Sequence, residues 1–469
     1  TFKEICLSPV SAPGPANPNI LFILTDDLGK EWISAYGAED IKTPAIDNLA
    51  HTGLSFSNFY STPQCTPSRI CLFTGQYPFR NGWINHWDVP RWGGGAYFDW
   101  DKNPGIARIM QSAGYKTAAA GKWQVNDFRV QPEAMVAHGF DDYCMWTGYE
   151  GGNPPSAERY WNPYIHTKEG SKTYTGQFGE DIFTDFLVDF MQKHRDEPMF
   201  LYYPMCLTHV PFTSTPDEPD VTGKYPSHKA MVRYMDRMVG KLVKALDELG
   251  LRENTIIIYT TDNGTAGAIT GKLNGREVPG GKLKTTENGI CEPFIVNWPA
   301  RTPAGKVTDA LADLTDILPT CAELGGAALP AGFVFDGTSF ADVISGKASD
   351  SRRKWIMAMG GNAGGSAAQL SDKGLENEYI FRDRVIRDKE YKLYVSSQRK
   401  PEKLVSIAGD PEEKHNLLQS KDPAVKKAFK KLWKAARSFP KKDNDPAYTA
   451  LPPQPWDKEI SVKNGEWKK

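Results

Sequence analysis

From residue 19 to about residue 320, short apolar runs alternate with amphipathic stretches, the pattern of a largely parallel sheet covered by helices. Strands are predicted at 19–24, 116–120, 199–203, 255–259 and 294–297. Between residues 228 and 249, Met231, Met235, Met238, Leu242, Leu246 and Leu249 recur every three or four positions and Gly250 follows, which predicts one long helix with a Met-rich face toward the core. Near residue 350 the rhythm changes. Two alternating runs, 379–387 and 391–395, flank a charged turn and predict an antiparallel hairpin. The expected fold class is therefore α/β: a large, mostly parallel mixed sheet flanked by helices, with a smaller C-terminal α+β subdomain containing an antiparallel sheet. Residues 1–18, punctuated by Pro9, Pro13, Pro15 and Pro18, read as an extended lead-in, 19–350 as the main domain, and 351–469 as the subdomain with a wrapping tail rich in Lys and Pro.

Composition narrows the class. Lys and Arg number 56 against 57 Asp and Glu, so the balance of charge excludes a generally basic nucleic-acid binder. The apolar runs are far shorter than the ~18–20 residues of a spanning helix, so no membrane segment is expected. Seven scattered cysteines without a C-x-x-C pair exclude a zinc ribbon and a dense disulfide framework.

Chemistry is expected where polar residues follow the predicted strands: Thr25-Asp26-Asp27, Gly121-Lys122-Trp123-Gln124, Leu207-Thr208-His209 and Thr261-Asp262-Asn263-Gly264. In open α/β sheets the ligand crevice lies outside the carboxyl ends of the strands, so these segments should converge. Asp26, Asp27, Asp262 and Asn263 would then form an all-oxygen cluster suited to a hard cation, Ca²⁺ or Mg²⁺, and poorly suited to Zn²⁺. The bland reading is that such acids cap helices or shape turns. In the segment from Cys65 to Gly75, Pro67 suits the first turn of a helix, placing Cys65 at or just before its positive end. A nucleophile is activated there. Cys71, Cys144, Cys206 and Cys321 read instead as small buried hydrophobes.

The run Cys65-Thr66-Pro67-Ser68-Arg69-Ile70-Cys71-Leu72-Phe73-Thr74-Gly75 matches the C-x-P-S-R-x-x-x-x-T-G signature of the type I sulfatases of the alkaline phosphatase-like superfamily in full. The chain also resembles that family at 19–27, at Gly121-Lys122-Trp123, at Asp262-Asn263-Gly264 and at 281–299, with a looser echo at Asp410-Pro411-Glu412. The resemblance implies that Cys65 is converted by a formylglycine-generating or sulfatase-maturating enzyme to formylglycine, whose hydrate is the nucleophile. It implies Ca²⁺ held by Asp26, Asp27, Asp262 and Asn263 with residue 65, and Arg69 steadying the hydrate and the ligand carboxylates. Lys122 and Lys282 would neutralise sulfate oxygens, Lys284 being a rival for the second place, and His209 would protonate the leaving alcohol. Two positions depart from the pattern: Gln124 stands where many members have histidine, and Cys291 where many have arginine.

Seven of thirteen tryptophans fall between residues 83 and 161, interleaved with polar residues. Flat aromatic faces beside hydrogen-bonding groups suit sugar rings, so a sulfated saccharide is the expected substrate, with Gln124, Arg80, Trp87, Arg91, Trp92 and Arg159 as candidate contacts. The alternative is that these tryptophans pack inside. Asn263-Gly264-Thr265 is an N-x-T sequon overlapping the metal cluster, so a glycan there would destroy the site. A bacterial, periplasmic or secreted enzyme fits that conflict and the low cysteine use. Rival functions are a phosphoester or phosphonate hydrolase of the same superfamily, and a catalytically silent protein that binds sulfated saccharide. The pattern leaves sugar, sulfate position and oligomeric state open.

Overall fold

The computed structural model describes residues 17–84, 97–360, 368–371, 374–377, 380–447, 449, 451–452 and 454–456. The main sheet is assembled from β1 (Asn19–Thr25), β2 (Leu54–Tyr60), β3 (Lys116–Lys122), β4 (Asp142–Trp146), β5 (Tyr164–Thr167), β6 (Gly170–Thr173), β7 (Met199–Pro204) and β8 (Thr255–Thr261). A hairpin of β9 (Thr270–Leu273) and β10 (Arg276–Pro279) stands apart, and β11 (Cys291–Asn297), β12 (Lys306–Thr308) and β13 (Ala312–Asp313) return to the sheet. Its order is β12-β2-β11-β8-β1-β7-β3-β4-β5-β6, with β13 also paired to β2. The five central strands from β8 to β4 are parallel, whereas β11 runs antiparallel to both β8 and β2. The result is a mostly parallel mixed sheet flanked by helices.

Every residue of β1 is buried because the strand lies mid-sheet between two helical layers. Its side chains alternate: Ile20, Phe22 and Leu24 enter one core and Leu21 and Ile23 the other. The Met-rich helix begins a turn earlier than its periodicity suggests, at Lys224–Glu248, and Met231, Met235 and Met238 are buried as expected.

The C-terminal part is a smaller antiparallel sheet. β14 (Ile356–Met359), β17 (Arg384–Arg387), β18 (Tyr391–Val395) and β19 (Pro401–Ser406) pair in that order, and β15 (Ala368–Ser371) and β16 (Gly374–Asn377) form a separate hairpin. The helix Pro423–Ser438 packs on the four-stranded sheet through Val425, Leu432 and Ala436. Of the predicted hairpin, the pair β17/β18 is observed, and residue 379 lies outside the described residues.

Buried charge joins this sheet to the main one. Glu287 accepts from Tyr60 Oη (2.8 Å) and Lys392 Nζ (3.1 Å) and lies 3.3 Å from Arg387 Nε. Lys392 also reaches Glu413 (2.9 Å) and the carbonyl of Thr285 (2.9 Å). Burial pushes the Glu287 carboxyl up, but Arg387 and then Lys392 outweigh it and hold its pKa at about 2. A depressed folded-state pKa gives stability that is full above the ordinary value of 4.5 and lost as pH falls toward about 2. Thermal melts of Glu287→Gln should therefore show a shallower fall in Tm across that window than the wild type; parallel profiles would refute the assignment. Lys392→Met should cost about 3 kcal/mol in denaturant unfolding, because two carboxylates are left underpaired.

Candidate active site

The register of the central strands fixes the site. Thr25 of β1 pairs with Thr261 of β8, so Asp26 and Asp262 leave the sheet side by side. Asp26, Asp27, Asp262 and Asn263 are each at most 1% exposed. Asp27 sits in the left-handed region (φ 60°), a conformation Asp tolerates better than most residues. Its N–H donates to Asp262 Oδ1 (3.3 Å), while Asn263 Nδ2 donates to Asp27 Oδ1 (2.8 Å).

Three cations answer the three carboxylates. Lys122, at the end of β3, donates to Asp26 Oδ2 (2.6 Å), and Lys282 donates to Asp27 Oδ2 (2.7 Å). Arg69 donates to Asp262 Oδ2 (2.7 Å) and to the Lys122 carbonyl (3.1 Å), and lies 3.6 Å from Asp26. Close approach brings Lys122 into range: a Cβ on Gly121 would lie 2.0 Å from the Pro204 carbonyl oxygen, so a glycine is required there. Lys284 is not placed on these carboxylates; it lines a cavity against the C-terminal sheet.

The helix predicted from the signature spans Cys65–Thr74, with all ten residues buried. Gly75 closes it in a left-handed conformation, its N–H donating to the Cys71 carbonyl (2.9 Å). Cys65 thus stands in the first turn, where partial positive charge favours an anion. It is close enough to act electrostatically on Arg69, Asp262 and Lys282.

Electrostatics separates the acids. Burial opposes ionisation of Asp26, but Lys122, His209, Arg69 and Lys282 together hold its carboxyl well below the usual range. Asp262 is driven well above it by burial and by Asp26, despite Arg69. Asp27 is raised by burial, against Lys282. Among the described residues, no donor reaches Asp26 Oδ1 or Asn263 Oδ1, both buried. Buried oxygens of this kind, beside carboxylates that raise one another, suit a hard cation. Asp26, Asp27 and His209 each offer a ligand atom within 4.8 Å of the others, which adds His209 to the groups facing such an ion.

His209 Nε2 lies 3.7 Å from Asp27 Oδ2. Its Nδ1 lies 2.7 Å from the Val210 carbonyl oxygen and 3.2 Å from Arg159 Nη1. Burial, then Lys282 and Lys122, lowers the imidazole well below its ordinary pKa. Arg159 stacks on Trp146 (4.1 Å) as it reaches the ring.

Several positions were invisible in the sequence. Glu180 accepts from the backbone N–H of Cys206 (2.7 Å) and Leu207 (3.1 Å), and Tyr160 Oη donates to the carbonyls of Cys206 (2.8 Å) and His209 (2.5 Å). Together they hold the loop that carries His209. Glu180 occupies a helix first turn, where an acid is ordinary. The pairing of Tyr160 is long-range and leaves no local signal.

The structure bears on two further readings. Trp83, Trp123 and Trp146 are core residues, so these three of the seven tryptophans serve packing. Arg80 makes a bidentate pair with Asp336 (2.9 and 2.7 Å), and no described contact joins it to the cluster. Gln124 is buried just beyond Lys122 in a left-handed backbone (φ 67°). Trp87, Arg91 and Trp92 lie outside the described residues. Asn263, part of the sequon, is fully buried.

A sheet end that gathers carboxylates, cations and a helix head has the makings of a hydrolytic site for an anionic ester. Comparison with known proteins gives the family. The Sulfatase family profile matches residues 18–327. N-acetylgalactosamine-6-sulfatase of Canis lupus familiaris is 32% identical over 366 residues, 72% of this chain and 67% of that protein. Arylsulfatase A of Bos taurus is 29% identical over 459 residues, 88% and 85% of the two chains. Ps i-CgsB, solved in complex with k-i-k-neocarrahexaose, superposes with a TM-score of 0.73 at 26% identity, covering 92% of this chain and 94% of that one. The chain spans about two thirds of the length of the N-acetylgalactosamine-6-sulfatases it matches. It belongs to the sulfatase family, a class of sulfuric ester hydrolases.

The donor set makes a direct prediction. Asp26→Asn and Asp262→Asn should each reduce bound divalent metal below one equivalent per chain, read by elemental analysis after dialysis, and lower kcat by about 100-fold or more. Full metal occupancy in both variants would remove these residues from the ligand set.

Proposed function

We propose that the protein hydrolyses sulfate esters of a sulfated saccharide, using formylglycine derived from Cys65 and a Ca²⁺ ion held by Asp26, Asp27, Asp262 and Asn263 with residue 65. The observation that carries this reading is the meeting of the Cys65 helix head with Lys122, Lys282 and His209 around buried carboxylates. The saccharide is supported by N-acetylgalactosamine-6-sulfatase among the relatives and by the neocarrahexaose complex of Ps i-CgsB. Maturation by a formylglycine-generating enzyme, and export to a bacterial periplasm or the medium, complete the proposal.

When bound, the ion would supply Lewis-acid polarisation of a sulfate oxygen, and the aldehyde hydrate an attacking hydroxyl and a second hydroxyl whose deprotonation expels sulfate. The chain's own residues do the rest. Lys122 and Lys282 face the place where nonbridging oxygens gather charge, and lie in a site dry enough for that charge to be felt strongly. Arg69 holds Asp262 and the Lys122 backbone in register. The Val210 carbonyl accepts from Nδ1–H of His209, leaving Nε2 to carry the proton that the leaving alkoxide takes. Burial, Lys282 and Lys122 disfavour the imidazolium, so Nε2 stands ready to take the proton of the attacking hydroxyl, and the imidazolium so formed gives it up readily to the leaving oxygen.

Peptide mass analysis of the exported protein should find aldehyde in place of thiol at residue 65, and Cys65→Ala should lose sulfate release by about 1000-fold or more. Matched sulfate and phosphate esters of one alcohol should be turned over in favour of sulfate. Preference for phosphate would favour the phosphoester hydrolase, and saccharide binding without release by the mature, calcium-loaded protein would favour the silent binder.

A further inference from the structure

The helix Pro423–Ser438 has two faces in different surroundings. Val425, Ala428, Leu432, Ala435 and Ala436 are buried, most of them in one cluster with Ile386, Leu393 and Leu404 of the small sheet. The outward face is strongly basic: Lys426, Lys427, Lys430, Lys431, Lys434 and Arg437 lie on the helix, which contains no acid, in a chain whose formal charge is -1. Among the described residues, the helix makes one ion pair, Lys431 with Asp388 (2.8 Å). Lys426, Lys427, Lys430 and Lys434 are exposed and have no described carboxylate partner. Lys427, Lys430 and Lys434 fall on one side at three- and four-residue steps, about one 5.4 Å turn apart. Like charges at that spacing repel, so the row is better satisfied by an external polyanion than by itself.

The row continues into a concavity. Lys427 and Lys431 line a cavity of about 630 Å³ together with Lys354, Lys389 and Tyr391. Asp350 and Asp388 also line it, paired with Lys389 (3.0 Å) and Lys431 (2.8 Å), as does Glu390, and their remaining lone pairs can accept from hydroxyl groups. Cations and carboxylate acceptors around one hollow suit a sugar that bears both hydroxyls and anionic groups. The geometry argues against the other common polyanions. The apolar face of the helix is packed in a core, so it cannot enter a membrane interface. The acids inside the hollow can accept from ring hydroxyls, which a sugar offers and a DNA phosphodiester backbone does not.

We propose that this face is a second binding site, an exosite for a sulfated polysaccharide chain, separate from the Asp26 cluster, with which it shares no lining residue. The proposal rests on the sulfated-saccharide reading of the active site. Its role is to hold polymer while a sulfate ester is presented to the cluster.

The test uses the full chain. Binding of ι-carrageenan and chondroitin sulfate to Cys65→Ala protein is titrated beside their desulfated counterparts, double-stranded DNA and anionic phospholipid vesicles. Removing Lys427, Lys430 and Lys434 together (K427Q/K430Q/K434Q) should weaken binding of at least one sulfated polymer by about tenfold, with a matching loss of salt dependence. Removing the same charge elsewhere (K168Q/K172Q/K193Q) should change it by less than about twofold. In the Cys65-containing enzyme, KM for polymer should rise in the first variant while turnover of a short sulfated saccharide stays unchanged. Equal weakening in both triple variants, no binding of any sulfated polymer, or equally tight and equally lysine-dependent binding of DNA or vesicles would each overturn the exosite. Mature wild-type enzyme that releases no sulfate from any ester would instead overturn the active-site reading, and the two failures are told apart by separate measurements.

Discussion

Three carboxylates withdrawn from water at the end of a parallel sheet are the constraint on which this molecule is built. Asp26, Asp27 and Asp262 are essentially without solvent, and buried charge of one sign is tolerated only where opposite charge is buried with it. Lys122, Arg69 and Lys282 supply that charge from three different parts of the chain. The distribution is uneven. Asp26 receives Lys122 and a flank of Arg69, and is held ionised; Asp262 receives Arg69 but faces Asp26, and is pushed the other way. The signature helix, the end of β3 and the loop after β10 must all reach their places for the cluster to close, so local errors in any of them expose an uncompensated charge.

The convergence of these side chains was legible in the sequence for a local reason. Asp-Asp and Asp-Asn after apolar strands carry a local signal, because a strand end is where such residues can converge. The central strands β1, β3, β7 and β8 were legible for the same reason: each is a short apolar run. β2, with Ser55, Ser57 and Asn58 among its aromatics, has no such run, and its place beside β11 follows from pairing across more than two hundred residues. The tryptophans were ambiguous in the sequence because an aromatic residue in a polar stretch reads alike whether it faces solvent or turns inward. Trp123 shows the difference: it follows Lys122 directly, yet packs against Phe73 and Phe140 in the core.

The two departures from the family pattern acquire a physical meaning in the fold. At Cys291, Lys30 Nζ lies 3.0 Å from the sulfur and 2.9 Å from the Ser57 carbonyl, so a cation stands beside the position where many members carry arginine. Glu287, four residues earlier, takes its charge partners from β17 and β18. Charge balance around this loop is thus supplied by the β1 side and by the C-terminal sheet.

The same loop begins with Lys282. Its N–H donates to the Thr265 carbonyl (3.0 Å), the next residue's N–H donates to the Pro63 carbonyl (2.8 Å), and Thr285 and Glu287 are gripped by Lys392. One end of the loop is therefore tied to the segment entering the Cys65 helix and the other to β18. A side chain that must meet Asp27 within hydrogen-bond range has little tolerance for movement of either anchor. On this account the small sheet is part of what aims Lys282, and its buried Lys392–Glu287–Glu413 network matters to the chemistry through position alone.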